Sequence, residues 1–218
     1  MASEVDHPLK LTLHRPTQVG EPVYELAEKF FPRQGDWTVS RFLDLPDNRG
    51  IELVDGRLEF LPMPSHLHQR VPKFFFLLLN SILDAAGGEA LFSGMKVQMV
   101  NRNMRDPDVV GVLGDHSPAD DDRYWAGADI AVEVVSPDGE RRDYEEKRLE
   151  YAQVGIREYW IVDPQRRQIL LLSLAGGSYR EVGTFSGDQT AESTLLPELK
   201  VKPNDVWAAA KMDSESAE

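Results

Sequence analysis

The chain of 218 residues contains no cysteine, which excludes disulfides and thiolate metal sites. A reducing cytoplasm is the compartment this composition suits. Long apolar runs are also missing. The longest, Phe74 to Leu79, is far too short to span a bilayer, and Met1 to Arg15 holds no run of signal-peptide length. No membrane partner is expected. Positive charge is scarce: 24 Lys and Arg face 37 Asp and Glu, for a formal net charge of −13. A protein that grips nucleic acid usually carries a basic footprint, and this chain has none overall. Part of the acid sits in Asp213-Ser-Glu-Ser-Ala-Glu218 and in Asp120-Asp121-Asp122, read as a solvated loop. The hydrophobic fraction, 41%, is that of a globular protein, and the length suits one domain. No internal repeat or interdomain linker is visible.

Residues 1–36 read as a loose arm, with a short helix from Val23 to Phe31 stopped by Pro32. The domain proper spans 37–211, and 212–218 reads as a disordered acidic tail. Thr38 to Leu45 suits a short helix before Pro46. Ile51–Val54 and Arg57–Leu61 flank Asp55-Gly56, a strong hairpin signal. Ser65 can cap a helix running to about Ala86, although Pro72 sits awkwardly inside it. Strands are expected at Lys96–Val100, Asp108–Leu113 and Asp129–Val135, the last β-branched and apolar as a buried strand would be. A helix from Arg141 to Gln153 should stop at Gly155. Glu158–Val162 then forms a strand, Gln168–Leu174 and Tyr179–Phe185 a hairpin, and Val206–Lys211 a terminal helix.

The chemistry-bearing constellation is Asp108 after Pro107, Glu133 inside Ile130-Ala-Val-Glu-Val-Val135, and Lys147 on the following helix. Phosphodiester hydrolysis puts negative charge on the phosphoryl and leaving oxygens. Carboxylates alone repel that charge, whereas carboxylates holding Mg²⁺ reverse the sign of the site and activate a water. A nearby ammonium then stabilises what develops. Each residue also has a plainer reading. Glu133 could alternate to a solvent face, although an ionised group in such a strand is costly unless it is paired or metal-bound. Asp108 could simply open a strand, and Lys147 could be one more solvated lysine on a charged helix. Asp143 lies four residues before Lys147 and shares its helix face, as a surface pair or an orienting group. Glu52 is either a partner to a base or an ordinary exposed strand charge. His66 and His68 would point about 200° apart on a helix, at ~100° per residue, so they would not chelate one ion there. His68 remains a candidate neighbour of the site.

Several segments together resemble a known family. They are Trp37-Thr-Val-Ser-Arg-Phe-Leu-Asp-Leu-Pro46, Ile51-Glu-Leu-Val-Asp-Gly56, Pro64-Ser65 with His68, and Pro107-Asp-Val109. Val132-Glu-Val-Val-Ser-Pro137, Asp143-Tyr-Glu-Glu-Lys147 with Tyr151-Ala152, and Gly155-Ile-Arg-Glu-Tyr-Trp-Ile-Val-Asp-Pro164 complete the series. From about Trp37 to Val206 the chain closely resembles the Uma family of restriction-endonuclease-like proteins, within the PD-(D/E)XK nuclease superfamily. The resemblance implies an α/β (α+β) fold, a mixed β-sheet flanked by helices with the active site at one sheet edge. It implies Asp108 and Glu133 as metal ligands, the backbone carbonyl of Val134 as a further ligand, and Glu52 as an acid completing the site. The superfamily's lysine lies two residues after the acid, where this chain has Val135. The resemblance is to members whose lysine has migrated to the next helix, which makes Lys147 the substitute.

The expected function is a Mg²⁺- or Mn²⁺-dependent endonuclease acting on DNA, with a homodimer as an assembly it allows. Two other readings stand beside it: a non-catalytic scaffolding or binding domain that kept the fold, favoured by the net charge, and a phosphodiesterase acting on RNA or a small substrate.

Overall fold

Near-continuous apolar runs in the middle of the chain build a sheet that is covered on both faces. The computed structural model describes residues 31–92, 94–114 and 123–212. The expected helix ending at Phe31, the Asp120–Asp122 loop and residues 213–218 of the tail therefore lie essentially outside the described residues. Among those described, the order is α1 (Val39–Leu43), β1 (Ile51–Val54), β2 (Arg57–Phe60), α2 (His66–Ala85), β3 (Glu89–Phe92), β4 (Lys96–Gln98), β5 (Met104–Arg105), β6 (Val109–Val112), β7 (Tyr124–Trp125) and β8 (Ile130–Val134). A π-helical turn, Arg142–Glu146, then runs into α3 (Lys147–Val154). It is followed by β9 (Glu158–Asp163), β10 (Gln168–Ala175), β11 (Ser178–Ser186), β12 (Ala191–Glu192), β13 (Lys200–Val201) and α4 (Pro203–Ala209).

The expected mixed sheet flanked by helices is present, with further strands in separate sheets. A six-stranded mixed sheet has the order β11-β10-β9-β8-β6-β3, and a five-stranded one the order β2-β1-β5-β4-β7; β12 and β13 form a separate pair. In the larger sheet only β8 and β9 run parallel. Parallel neighbours need a crossover, and the π-turn with α3 supplies it. That crossover fixes which residues of β8 face what. Ile130, Val132 and Val134 pack with α2 and α4 in one apolar cluster. Ala131 and Val135 pack with Tyr151 and Ala152 of α3 in another. By the same period of two, Glu133 faces α3. In β1, Leu53 enters a third cluster with Trp37, Phe42 and Met104, so its neighbour Glu52 faces the other way.

The local signals behave as their chemistry requires. Asp55 and Gly56 both adopt positive φ, 48° and 71°, as a two-residue hairpin turn demands. A Cβ on Gly56 would also lie 2.3 Å from the Gly35 carbonyl oxygen, whose residue donates its N–H to Gly56. Thr38 and Ser65 cap α1 and α2 through their side-chain oxygens. Helix α2 begins at His66 despite Pro72. At the other end, Met212 packs against the larger core.

Phe75 of α2 is fully buried and meets Trp160 of β9 edge to face. Phe75→Ala should cost about 3–5 kcal/mol, the scale for emptying a buried aromatic site. Urea denaturation at unchanged m-value checks this; a loss below about 1 kcal/mol would mean that the interface between α2 and the sheet collapses to fill the space.

Candidate active site

Between the two sheets, under α3, the chain buries charges of both signs. Lys147 is only 2% exposed, Glu133 3% and Glu52 0%. The Lys147 Nζ lies 2.8 Å from Glu133 Oε1, 3.5 Å from Asp143 Oδ1 and 3.6 Å from Glu52 Oε1. Glu133 comes from β8, Asp143 from the π-turn, and Glu52 from β1 in the other sheet. The plainer readings of Glu133, Lys147 and Glu52 as solvated charges therefore do not hold here. Asp143 and Lys147 do share a face, but the turn carrying Asp143 is π-wound and not the regular helix expected. The Lys147 N–H reaches back to the Arg142 carbonyl, five residues away. Such wide turns recur at functional sites.

Asp108 precedes β6, and its carboxylate accepts the Val134 N–H at 2.7 Å, which places it beside Glu133 on β8. Val134 thus meets the site through its N–H in this arrangement. His68, in the first turn of α2, brings Nε2 to 3.3 Å from Asp108 Oδ2. The Asp108 and His68 side chains are 20% and 24% exposed, so this corner is where the buried cluster meets solvent. Glu133 lies on an interior strand, and the site sits between two sheets instead of at one sheet's edge.

Three residues that sequence reasoning did not single out for the site support it. Tyr151, one helical turn after Lys147, donates its hydroxyl to Glu133 Oε1 at 2.5 Å. Its i+4 spacing from Lys147 was a usable signal. Arg105 is buried and bridges Glu52 at 2.8 Å and Glu150 at 2.6 Å. It belongs to a two-residue strand with no periodicity to reveal it. Arg142 approaches Asp143 at 3.5 Å.

The electrostatics divide the acids into two kinds. Burial would raise Glu52, but Lys147 and Arg105, with the Asp106 N–H, outweigh it and hold the carboxyl down to about 2. Glu133 goes the other way, pushed up to about 8. Burial is the main cause; Lys147 opposes it, while Asp108 and Asp143 add to it. Asp143 is raised for the same reason, burial first, against the pull of Lys147 and Arg142. Burial would lower Lys147, but Glu133, Glu52 and Asp143 raise it. Burial would lower His68, but its bond to Asp108 and the charges of Asp108 and Asp143 together raise it. Both partners of the Glu133–Lys147 pair thus shift upward. For Glu133 the rise is burial first, with Asp108 and Asp143 adding to it; for Lys147 it comes from the carboxylates around it.

The donor set suits a divalent cation. The donors are carboxylate oxygens, the hard ligands that Mg²⁺ takes. Asp143 Oδ1 is buried without a hydrogen bond, and both Glu133 contacts fall on Oε1, outside Oε2. Among the described residues no three His, Asp or Glu form a ready-made metal cluster. Mg²⁺ is commonly held through one or two carboxylates with waters completing its shell, so Asp108 and Glu133 fit it.

A family model described as "Putative restriction endonuclease" (Uma2) matches residues 39–204. The chain belongs to that family. Its fold is similar to the crystal structure of a "putative nuclease belonging to DUF820" from Anabaena variabilis, with a TM-score of 0.68 at 18% identity. That match covers 79% of this chain and 98% of the other. No curated protein matches.

The raised Glu133 gives a pH dependence. A carboxyl whose folded value, about 8, exceeds its ordinary 4.5 stabilises the fold below 4.5 and loses that contribution as pH rises toward 8. In EDTA, the Tm of the protein should therefore fall relative to that of Glu133→Gln as pH goes from 5 to 8. Parallel curves for the two proteins would show that Glu133 ionises normally.

Proposed function

We propose that this protein is a Mg²⁺- or Mn²⁺-dependent endonuclease that hydrolyses DNA phosphodiester bonds. The observation that carries the reading is Lys147, buried against Glu133 and beside Asp143 and Glu52, with Asp108 at the solvent-facing edge. Such a set is expensive to keep in a domain that only binds.

In this reading Asp108, Glu133 and the Val134 carbonyl would hold the ion, which would supply Lewis acidity at the phosphate and to the attacking water. Without the ion Glu133 is held toward its neutral form, and binding the ion would release its proton. Tyr151 fixes its orientation through Oε1. The Lys147 ammonium stays charged and offers positive charge to the phosphoryl oxygens as they gain negative charge. Glu52 lies beside that ammonium and is itself held by Arg105, so it acts as a positioning residue. Asp143 and His68 orient Lys147 and Asp108. Val135, at the superfamily's lysine position, faces the same side as Glu133 but is packed in the apolar cluster with Tyr151, so the ammonium comes from α3 instead. The absence of cysteine supports a reducing cytoplasm as the compartment, and among the described residues no helix is long and apolar enough to cross a membrane. The net charge of −13 favours a second reading, a binding domain that retains the fold.

Incubating the protein with plasmid and single-stranded DNA in Mg²⁺, Mn²⁺ or EDTA separates the two. Cleavage in the metal arms that vanishes with Glu133→Ala supports the nuclease; no cleavage in any arm favours the binding domain. Mg²⁺ should also raise Tm through linkage, and Glu133→Gln should lose most of that shift. Equal shifts in both proteins would place the ion elsewhere.

Lys147→Met leaves buried carboxylates without their cation, so it should cost about 3–5 kcal/mol of stability in EDTA. Where circular dichroism shows the variant folded with Mg²⁺, turnover should fall about 100- to 1,000-fold, the scale of losing one preorganised electrostatic group. Wild-type turnover would remove Lys147 from the chemistry.

A further inference from the structure

Two arginines stand beside the acids of the candidate site, and they are used differently. Arg105 is 1% exposed and fully engaged: its guanidinium meets Glu150 at 2.6 Å, Glu52 at 2.8 Å and Glu59 at 3.8 Å. Arg142, on the π-turn before α3, keeps 23% of its side chain exposed. Among the described residues its one carboxylate contact is Asp143 Oδ1, 3.5 Å from Nε. No hydrogen bond forms there, and both Nε and Oδ1 are buried without a partner. The same Oδ1 lies 3.5 Å from the Lys147 Nζ, so the two cations share one unsatisfied carboxylate oxygen.

The placement of Arg142 is built into the turn that leaves β8. A Cβ on Gly139 would lie 2.3 Å from Ser136 Oγ, 3.0 Å from Arg142 Nη2 and 3.1 Å from Asp143 Oδ2. Only a residue without a side chain lets these three groups close over the turn. The Gly139 and Asp143 N–H groups hold it, donating to the Ser136 and Gly139 carbonyls. The turn follows the carboxyl end of β8, the strand of Glu133, and the carboxyl ends of parallel strands are where such sheets bind ligands.

We infer that Arg142 is a ligand of the phosphate that is cut, acting beside Lys147. The inference rests on the nuclease reading and names a substrate contact within it. A guanidinium is planar, always charged and presents a fork of donors that fits two phosphate oxygens. An arginine with one long ion contact and a buried donor left unmatched lacks that partner in the free protein, and an unmatched buried donor is costly. A phosphate oxygen accepts from such a group at ~2.8 Å, so one phosphate spans two cations that flank a single carboxylate oxygen. Lys147 then meets it from the buried side and Arg142 from the side that keeps water.

Binding is measured apart from cleavage, as fluorescence anisotropy of labelled duplex and single-stranded 20-mers in EDTA and in Ca²⁺ over 20–200 mM salt. Circular dichroism checks folding. Arg142→Gln should weaken binding about tenfold at low salt and flatten the log–log salt dependence by about 0.9 on duplex, the loss of one phosphate contact. Arg142→Lys keeps the charge and loses the fork, so its slope should stay near wild type while affinity falls severalfold. The control is Arg141→Gln, which removes the same charge from the next residue, 80% exposed and paired with Glu145 and Glu146. It should bind like wild type. With Mg²⁺, turnover of Arg142→Gln should fall about 100-fold. Wild-type affinity and slope in Arg142→Gln, an equal loss in Arg141→Gln, or no DNA binding by the unmutated protein in either condition would overturn the inference. Should Arg142→Gln not fold, Arg142→Lys decides, and wild-type affinity in it would overturn the inference. A protein that binds DNA through Arg142 yet cleaves nothing would sink the nuclease reading and leave the phosphate contact standing.

Discussion

The Lys147 ammonium, buried among carboxylates from β8, β1 and the turn before α3, ties together elements distant in sequence. Removing such a charge from water is costly, and the cost is offset only if partners meet it with good geometry. Glu133, Glu52 and Asp143 do so from two sheets and a helix, so the site cannot assemble until both sheets are in place. Tyr151 and Arg105 extend the same network, one satisfying Glu133 and the other fixing Glu52. The helix that carries Lys147 is also the crossover demanded by the parallel β8–β9 pair. One topological requirement therefore positions both the base and the face of the strand it addresses.

The network is not neutral. Glu52 is fully matched, with Arg105, Lys147 and a backbone N–H around it. Glu133 and Asp143 are not: burial raises both first, and Asp108 beside them adds to it. In a purely structural ion cluster the fourth acid would be expected to carry its own partner. Here Asp108 sits at the side open to solvent, where His68 approaches it. The arginines are matched just as unevenly: Arg105 is taken up by three carboxylates, while Arg142 keeps one long contact, to Asp143.

Much of the fold could be read from local chemistry. Asp55-Gly56 specified a hairpin, Ser65 capped α2, Gly155 ended α3 with φ of 89°, and the apolar run around Glu133 made a buried strand. The strands at Glu89–Phe92, Met104–Arg105 and Tyr124–Trp125 were not legible. Two- to four-residue strands carry too little alternation, and their pairing is set by partners far away in sequence. The split into two sheets was hidden for the same reason.

The sequence by itself determined which residues could do chemistry: an ionisable group in an apolar strand, a Pro-Asp before another, and a lysine spaced from an aspartate on one helix face. Those are local constraints, fixed by period and composition. Only the tertiary structure brought Glu52, which the resemblance already offered, to 3.6 Å from Lys147, set Arg105 and Tyr151 against the carboxylates, and pushed Glu133 toward its neutral form while holding Glu52 ionised. A carboxyl's state depends on how much water it keeps and which charges stand within a few ångströms. Both are properties of packing between elements and cannot be read from spacing along the chain.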